Sequence, residues 1–301
     1  MTAGTFGRDD RALGILCAIG SVLLFSSFTL ASRLGFSASL RPPDVAALRF
    51  GIGGVLMLPV LLRHGLAGAR LRDAVGLALF GGLGFAMLAY AGFSMAPAAH
   101  GAVLLHGTLP LTTAVILQLS GQAHRPYRPL GLVLVGTGVA LMAYDSLAGA
   151  NLRQLTGDGC LLLASASWSA YGVLARRLAL PPGQAAAIVA VFSMVCFIPV
   201  YAILPGKALF HVGLRTLVLQ GFVQGVLVGA VSIFVYTRAV AALGPDRTAL
   251  FTAAVPCVTS LAAIPLLSEL PSPAAAVGIG AVTLGLLLAA MTPPRSRQVA
   301  L

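Results

Sequence analysis

Apolar runs of about twenty residues recur along this chain from end to end, and in hydrocarbon such runs have only one folded form open to them. A lipid-exposed backbone must satisfy its own N–H and C=O groups, so each run of membrane length is read as an α-helix. The runs lie at 12–32, 43–62, 73–95, 99–120, 129–146, 157–176, 184–204, 212–237, 243–267 and 272–291, separated by short loops that hold most of the arginines. Little chain remains for a separate globular domain. With 58% hydrophobic and 9% charged residues among 301, the chain reads as an all-α integral membrane protein of ten transmembrane helices. The first run follows Arg8 and Arg11 but is too long for a signal-peptide core, so it is read as a retained span.

The formal charge of +11 would suit nucleic acid or anionic lipid, and its distribution decides between them. If the N-terminus lies inside, thirteen basic residues fall on inner segments and five (Arg33, Arg41, Arg153, Lys207, Arg215) on outer ones, with Arg49 inside a span. The positive-inside rule then puts both termini in the cytoplasm, with anionic lipid as the partner of the basic loops and no role for nucleic acid. Cys17, Cys160, Cys196 and Cys257 all fall within apolar runs, which fits packing rather than a disulfide framework or metal cluster. No metal or cofactor is expected. Oligomeric state is written in no motif, and a monomer is compatible with the pattern.

The chain also repeats itself. "LASRL" at 30–34 returns as "LARRL" at 174–178, an offset that also pairs Ser21 with Ser165. Further on, Tyr90 pairs with Tyr236, Ala96 with Ala242, Pro110 with Pro256, Thr113 with Thr259, Gly131 with Gly278 and Gly138 with Gly285. The matches keep their order, which predicts two five-helix halves, 1–150 and 151–301. Five is odd, so a first half that starts inside is followed by one that starts outside. Such inverted repeats support alternating access around a central cavity.

Several spans carry groups that hydrocarbon penalises. Proline removes a helical donor, so Pro110 and Pro256 are expected to bend the fourth and ninth spans at positions related by the repeat. Two readings stand for them: walls of a cavity, or bends that only improve packing. His106 lies one turn before Pro110 and is a functional candidate as an ionisable side chain inside a span, against the alternative of a neutral core histidine. Trp168, the sole tryptophan, sits mid-span, where its N–H needs a partner or a cavity. Ser165, Ser169 and Tyr171 around it would give a cavity hydroxyls and an aromatic wall, and Tyr90 and Tyr236 are the next aromatic candidates. Arg49 either snorkels or pairs with Asp44, or else faces the pathway and meets a substrate carboxylate. Gly81, Gly82, Gly84, Gly221, Gly225 and Gly229 read as close-packing faces. Gln220 and Gln224 face either the cavity or a helix interface.

All eight acidic residues lie at span ends or in loops, which leaves no midplane carboxylate to carry a proton. That argues for downhill transport. Coupling through His106 or His100 is the variant. Paired intramembrane aspartates, a Gly-x-Ser-x-Gly element and an HExxH motif are missing, so the chain is not expected to be an enzyme.

Ten spans in two halves, the Arg49-Phe50 pair, Pro110 and Pro256, and "LLSEL" at 266–270 resemble the EamA-type branch of the drug/metabolite transporter superfamily, most closely its YddG-type aromatic amino-acid exporters. The glutamate of that pattern is present as Glu269 and replaced by Ala123 in the first half. The resemblance implies export of aromatic and other large neutral amino acids, small zwitterions, across a bacterial inner membrane. A proton-coupled exporter of drugs or other metabolites is the alternative. Trp168, Tyr90, His106, Ser169, Tyr171, Tyr236 and Arg49 are the candidate substrate contacts.

Overall fold

The computed structural model describes residues 8–121, 129–243, 248 and 251–290, which form helices joined by short turns and loops, with no strand among them. Ala123 lies outside the described residues, as does part of the run at 243–267. The helices are α1 (Arg8–Ser37), α2 (Pro42–His64), α3 (Leu71–Met95), α4 (Ala98–Leu119), α5 (Pro129–Ala148), α6 (Leu152–Leu178), α7 (Pro182–Ile203), α8 (214–243), α9 (Val255–Leu267) and α10 (Pro273–Ala290). Among the described residues, seven helices are long and apolar enough to cross a membrane: α1 to α5, α7 and the first part of α8. α9 and α10 are shorter apolar helices, and α6 carries Arg153 and Asp158 in its first turns. Exposed leucines, valines and phenylalanines such as Leu16, Leu23, Val55, Leu119, Val195 and Phe222 cover the outside, a surface suited to lipid.

Charged contacts gather many helix ends at one end of the bundle. Arg33 at the end of α1 reaches Glu269 beyond α9 and the carbonyl of Phe93 near the end of α3. Glu269 also accepts the N–H of Ala98 at the start of α4, at 2.7 Å. His100, Asp145 and Asp158 join the start of α4, the end of α5 and the start of α6. α1 therefore ends where α6 begins.

The strongest packing pairs are α1 with α8 and α9, α2 with α7 and α8, α3 with α6 and α7, α4 with α6, and α5 with α10. Exchanging each helix for the one five places along returns the same set of pairs. α5 and α10 cross backbone to backbone: a methyl group added at Gly131 would stand 2.7 Å from the Gly285 carbonyl oxygen, and one at Gly138 would stand 2.8 Å from that of Gly278. The two helices run antiparallel, since the earlier glycine of one meets the later glycine of the other.

Three spans contain wide π-helical turns, Leu79–Leu83 in α3, Ala102–Gly107 in α4 and Gly221–Val231 in α8. Gly81 and Gly82 of α3, with Gly84 just beyond, and Gly221, Gly225 and Gly229 of α8 fall on two of them. Pro110 and Pro256 stand in the first turn of helical segments, Leu109–Leu119 and Val255–Leu267, rather than inside a continuous helix. Each follows a residue of near-zero ψ, Thr108 (φ −89°, ψ −6°) and Ala254 (φ −78°, ψ −15°). The expected bend is therefore a local break, and proline tolerates the first turn because its missing N–H would have no helical partner there.

Candidate functional site

A small cavity opens near the middle of the bundle, lined by Leu24, Phe25 and Phe28 of α1, Arg49 of α2, Phe85 of α3, Leu105, His106 and Leu109 of α4, Trp168 of α6, and Val228 and Ser232 of α8. Both halves of the chain contribute. Its volume is about 20 Å³, room for about one water molecule. Small-molecule sites begin at about 300 Å³, so the helices must part before this cavity admits a solute.

The wall is aromatic and carries a single fixed charge. Trp168 packs against Phe85 with ring centroids 4.8 Å apart and against Tyr171 at 5.1 Å. His106 stacks on Phe25 at 5.3 Å with the rings 11° from parallel, and its Nε2 has no hydrogen-bond partner. His106 reaches this position from the π-helical turn of α4. The hydroxyl of Thr108, just beyond that turn, donates to the carbonyl of Leu104 at 2.6 Å, a backbone group the irregular turn exposes.

Arg49 is 5% exposed, and its guanidinium carbon lies 5.1 Å from the ring centre of Phe28 and 5.5 Å from that of Phe85. It makes no pair with Asp44. That carboxylate accepts the N–H of Arg41 at 2.8 Å, the hydroxyl of Tyr201 at 2.6 Å and the N–H of Ala208 at 3.2 Å, so it caps α2 instead. Among the polar atoms of the cavity wall, Arg49 Nη1 and His106 Nε2 are both buried without partners.

Of the sequence candidates, Trp168, His106 and Arg49 meet at this cavity, and four others stand elsewhere. Ser169 lies 2.7 Å from the Thr112 hydroxyl and accepts that of Thr113 at 2.9 Å, which ties α6 to α4. Tyr171 lies against Gly81 on α3, in a separate cluster with Leu77 and Ile188. Tyr90 is fully buried behind Phe28 and donates its hydroxyl to Gln224 at 3.0 Å. Tyr236 packs beside Phe25 at 5.7 Å, outside the lining. The glutamines are interface residues: Gln220 donates to the Ala31 carbonyl and Gln224 to the Ser32 hydroxyl, both across to α1.

Phe25, Phe28 and Phe85 were not among the sequence candidates. A phenylalanine inside an apolar span carries no anomaly, and only the spacing of Phe25 and Phe28, three apart on one helix face, hinted at a shared wall.

At the Glu269 end, the charged groups are instead mutually satisfied. His100 is 1% exposed, with Nδ1 2.8 Å from Asp158 and Nε2 3.1 Å from Asp145. Asp158 also accepts Ser146 at 2.5 Å, and Asp145 accepts Ser272. Among the described residues no cluster of His, Cys, Asp and Glu is arranged to hold a metal ion.

Comparison with known proteins gives a consistent result. Residues 12–144 and 155–291 each match the model of the EamA-like transporter family. The Uncharacterized inner membrane transporter YedA of Escherichia coli K12 is 26% identical over 192 residues, which are 62% of this chain and 61% of that protein. Its counterpart in the O157:H7 strain matches equally. The chain thus spans about three fifths of the length of these relatives. A solved structure titled "Crystal structure of protein" superposes with a TM-score of 0.59 at 22% identity, covering 93% of this chain and 97% of that one, a likeness of fold.

Proposed function

Because this chain belongs to the EamA-like transporter family, we propose that it exports aromatic and other large neutral amino acids by alternating access at the cavity of Trp168, His106 and Arg49, across a bacterial inner membrane. The observation that carries this reading is the cavity itself: an aromatic wall drawn from both halves, with one cation and no carboxylate. A zwitterion with an apolar side chain finds a partner for its carboxylate in Arg49 and a surface for its body in Trp168 and the phenylalanines.

The proposed architecture is ten spans in two inverted halves, 1–150 and 151–301, with both termini cytoplasmic. Four observations support it: helix pairing unchanged on exchange of the halves, α1 ending where α6 begins, the antiparallel crossing of α5 and α10, and wide turns at corresponding places in α3 and α8. Transport then consists of rocking between closures, and the 20 Å³ cavity is a closed stage of that cycle. The arrangement at the Glu269 end must come apart for the site to open there.

Transport is proposed to be facilitative, since no acidic residue lines the cavity to carry a proton with the substrate. One observation favours a second reading, proton-coupled export of drugs or other metabolites: His100 sits between two carboxylates, a group able to gain and lose a proton during opening. Flux of an amino-acid panel through the purified protein in liposomes, with and without a pH gradient, separates the two. Gradient-independent flux of aromatic and large aliphatic amino acids, reduced at least tenfold in Trp168→Ala, is expected. Flux of cationic drugs driven uphill by protons, with amino acids inert, would select the second reading.

A further inference from the structure

We infer that Arg49 is a carboxylate anchor and that the cavity selects hydrophobic monocarboxylates, the amino group of an amino acid being dispensable for binding. This rests on the reading of the cavity as the transport site and narrows it to a charge class.

Arg49 carries a permanent charge, and a guanidinium offers five donors. Buried at 5% exposure, it has no carboxylate beside it, because Asp44 is engaged by Arg41, Tyr201 and Ala208. Phe28 and Phe85 hold its faces by cation–π attraction and the Tyr90 hydroxyl stands beside it, which together compensate only part of the lost hydration. Nη1 is buried without a partner, on a residue that lines the cavity. A buried cation with an unpartnered donor, set in the wall of an apolar space, is the complement of an anionic oxygen, and the charge-assisted bond it would make is among the strongest available to a side chain.

The same wall offers an ammonium group little. Of the aromatic lining residues, Phe28 and Phe85 already face the guanidinium and Phe25 is covered by His106, which leaves for a second cation only Trp168, itself packed against Phe85 and Tyr171. No Asp or Glu lines the cavity, and a cation placed there is repelled by Arg49. Of the other polar groups, the Ser232 hydroxyl already donates to the Val228 carbonyl at 2.8 Å, and His106 Nε2 accommodates a second carboxylate oxygen or a neutral group as readily as an amine. Charge therefore selects the acid, and Leu24, Leu105, Leu109 and Val228 select its apolar body.

Trp168 is the chain's sole tryptophan and lines the cavity, so its emission reports occupancy without any transport step. Purified protein would be titrated with four probes sharing one phenyl-alkyl body: 3-phenylpropionate, phenylalanine, phenethylamine and 3-phenylpropanol. The acid is expected to bind at least as tightly as phenylalanine, and the amine at least tenfold more weakly. Arg49→Gln should weaken both carboxylates at least tenfold and leave the alcohol unchanged, which also shows the variant folded; Arg49→Lys should restore part of the loss. Equal binding of amine and acid, or carboxylate binding indifferent to Arg49→Gln while the alcohol still binds, overturns the anchor and spares the cavity. Silence of Trp168 toward all four probes overturns the cavity reading and the anchor together.

Discussion

Two buried histidines share α4 and live in opposite surroundings. His100 has a carboxylate at each ring nitrogen, and each carboxylate is bonded further, to Ser146 or Ser272. His106 stacks on Phe25 beside the cavity with Nε2 unpartnered, near a guanidinium that also has a free donor. A saturated polar network resists rearrangement because every member loses a partner when one moves. An unsaturated pair buried in an apolar wall is retained at a cost to stability, which is how binding sites differ from structural ones. On the proposed reading, the Glu269 end serves as the closure and the middle as the receptor.

That contrast is most directly broken at Asp158. Asp158→Ala leaves His100 Nδ1 and the Ser146 hydroxyl buried without an acceptor, and removing one member of a buried pair costs about 3–5 kcal/mol. A large fall in the thermal midpoint of the detergent-solubilised protein is expected. A loss below about 1 kcal/mol would mean that the cluster holds nothing together.

Glu269→Gln tests the same end more gently. It keeps the shape but removes the charge shared by Arg33 and the Ala98 amide at the start of α4, a loss of about 1–2 kcal/mol for partly exposed groups. The sharper expectation is kinetic: a weakened closure should open more often, so cysteine labelling from the Glu269 side at a cavity position such as Ser232 should speed up. Unchanged labelling with unchanged flux would deny the pair any part in gating.

The smallest stability effect is expected in the receptor. His106→Phe keeps the stack on Phe25 and deletes an unpartnered nitrogen, so stability should change by less than about 1 kcal/mol in either direction. Any loss of flux in that variant reports on solute contact. Destabilisation comparable to that of Asp158→Ala would erase the distinction drawn between the two histidines.

Hydropathy made the helix positions legible, since the apolar runs fall largely on helix where the chain is described. Site residues were harder, because depth along a span is visible in a sequence while the direction a side chain faces is not. Trp168, His106 and Arg49 stood out as groups that hydrocarbon penalises, and they converge. Ser169, Tyr171 and Tyr90 lie on spans that flank the cavity yet face neighbouring helices. Wide turns in α3, α4 and α8 each break the 3.6-residue period, so faces projected through them are misaligned. The phenylalanines of the wall carried no anomaly at all.

The glycine crossing of α5 and α10 also has a consequence for how the molecule is made. Gly131 and Gly285 are separated by about 150 residues, which at ribosomal speeds of about 5–20 residues per second means roughly eight to thirty seconds between the first helix and its partner. During that interval the α5 notch faces lipid or whatever shelters nascent spans, and the crossing can form only after α10 has been synthesised. A bulky side chain in the notch would therefore surface first as poor yield and rapid degradation of newly made protein, before any fault in a finished molecule was measured.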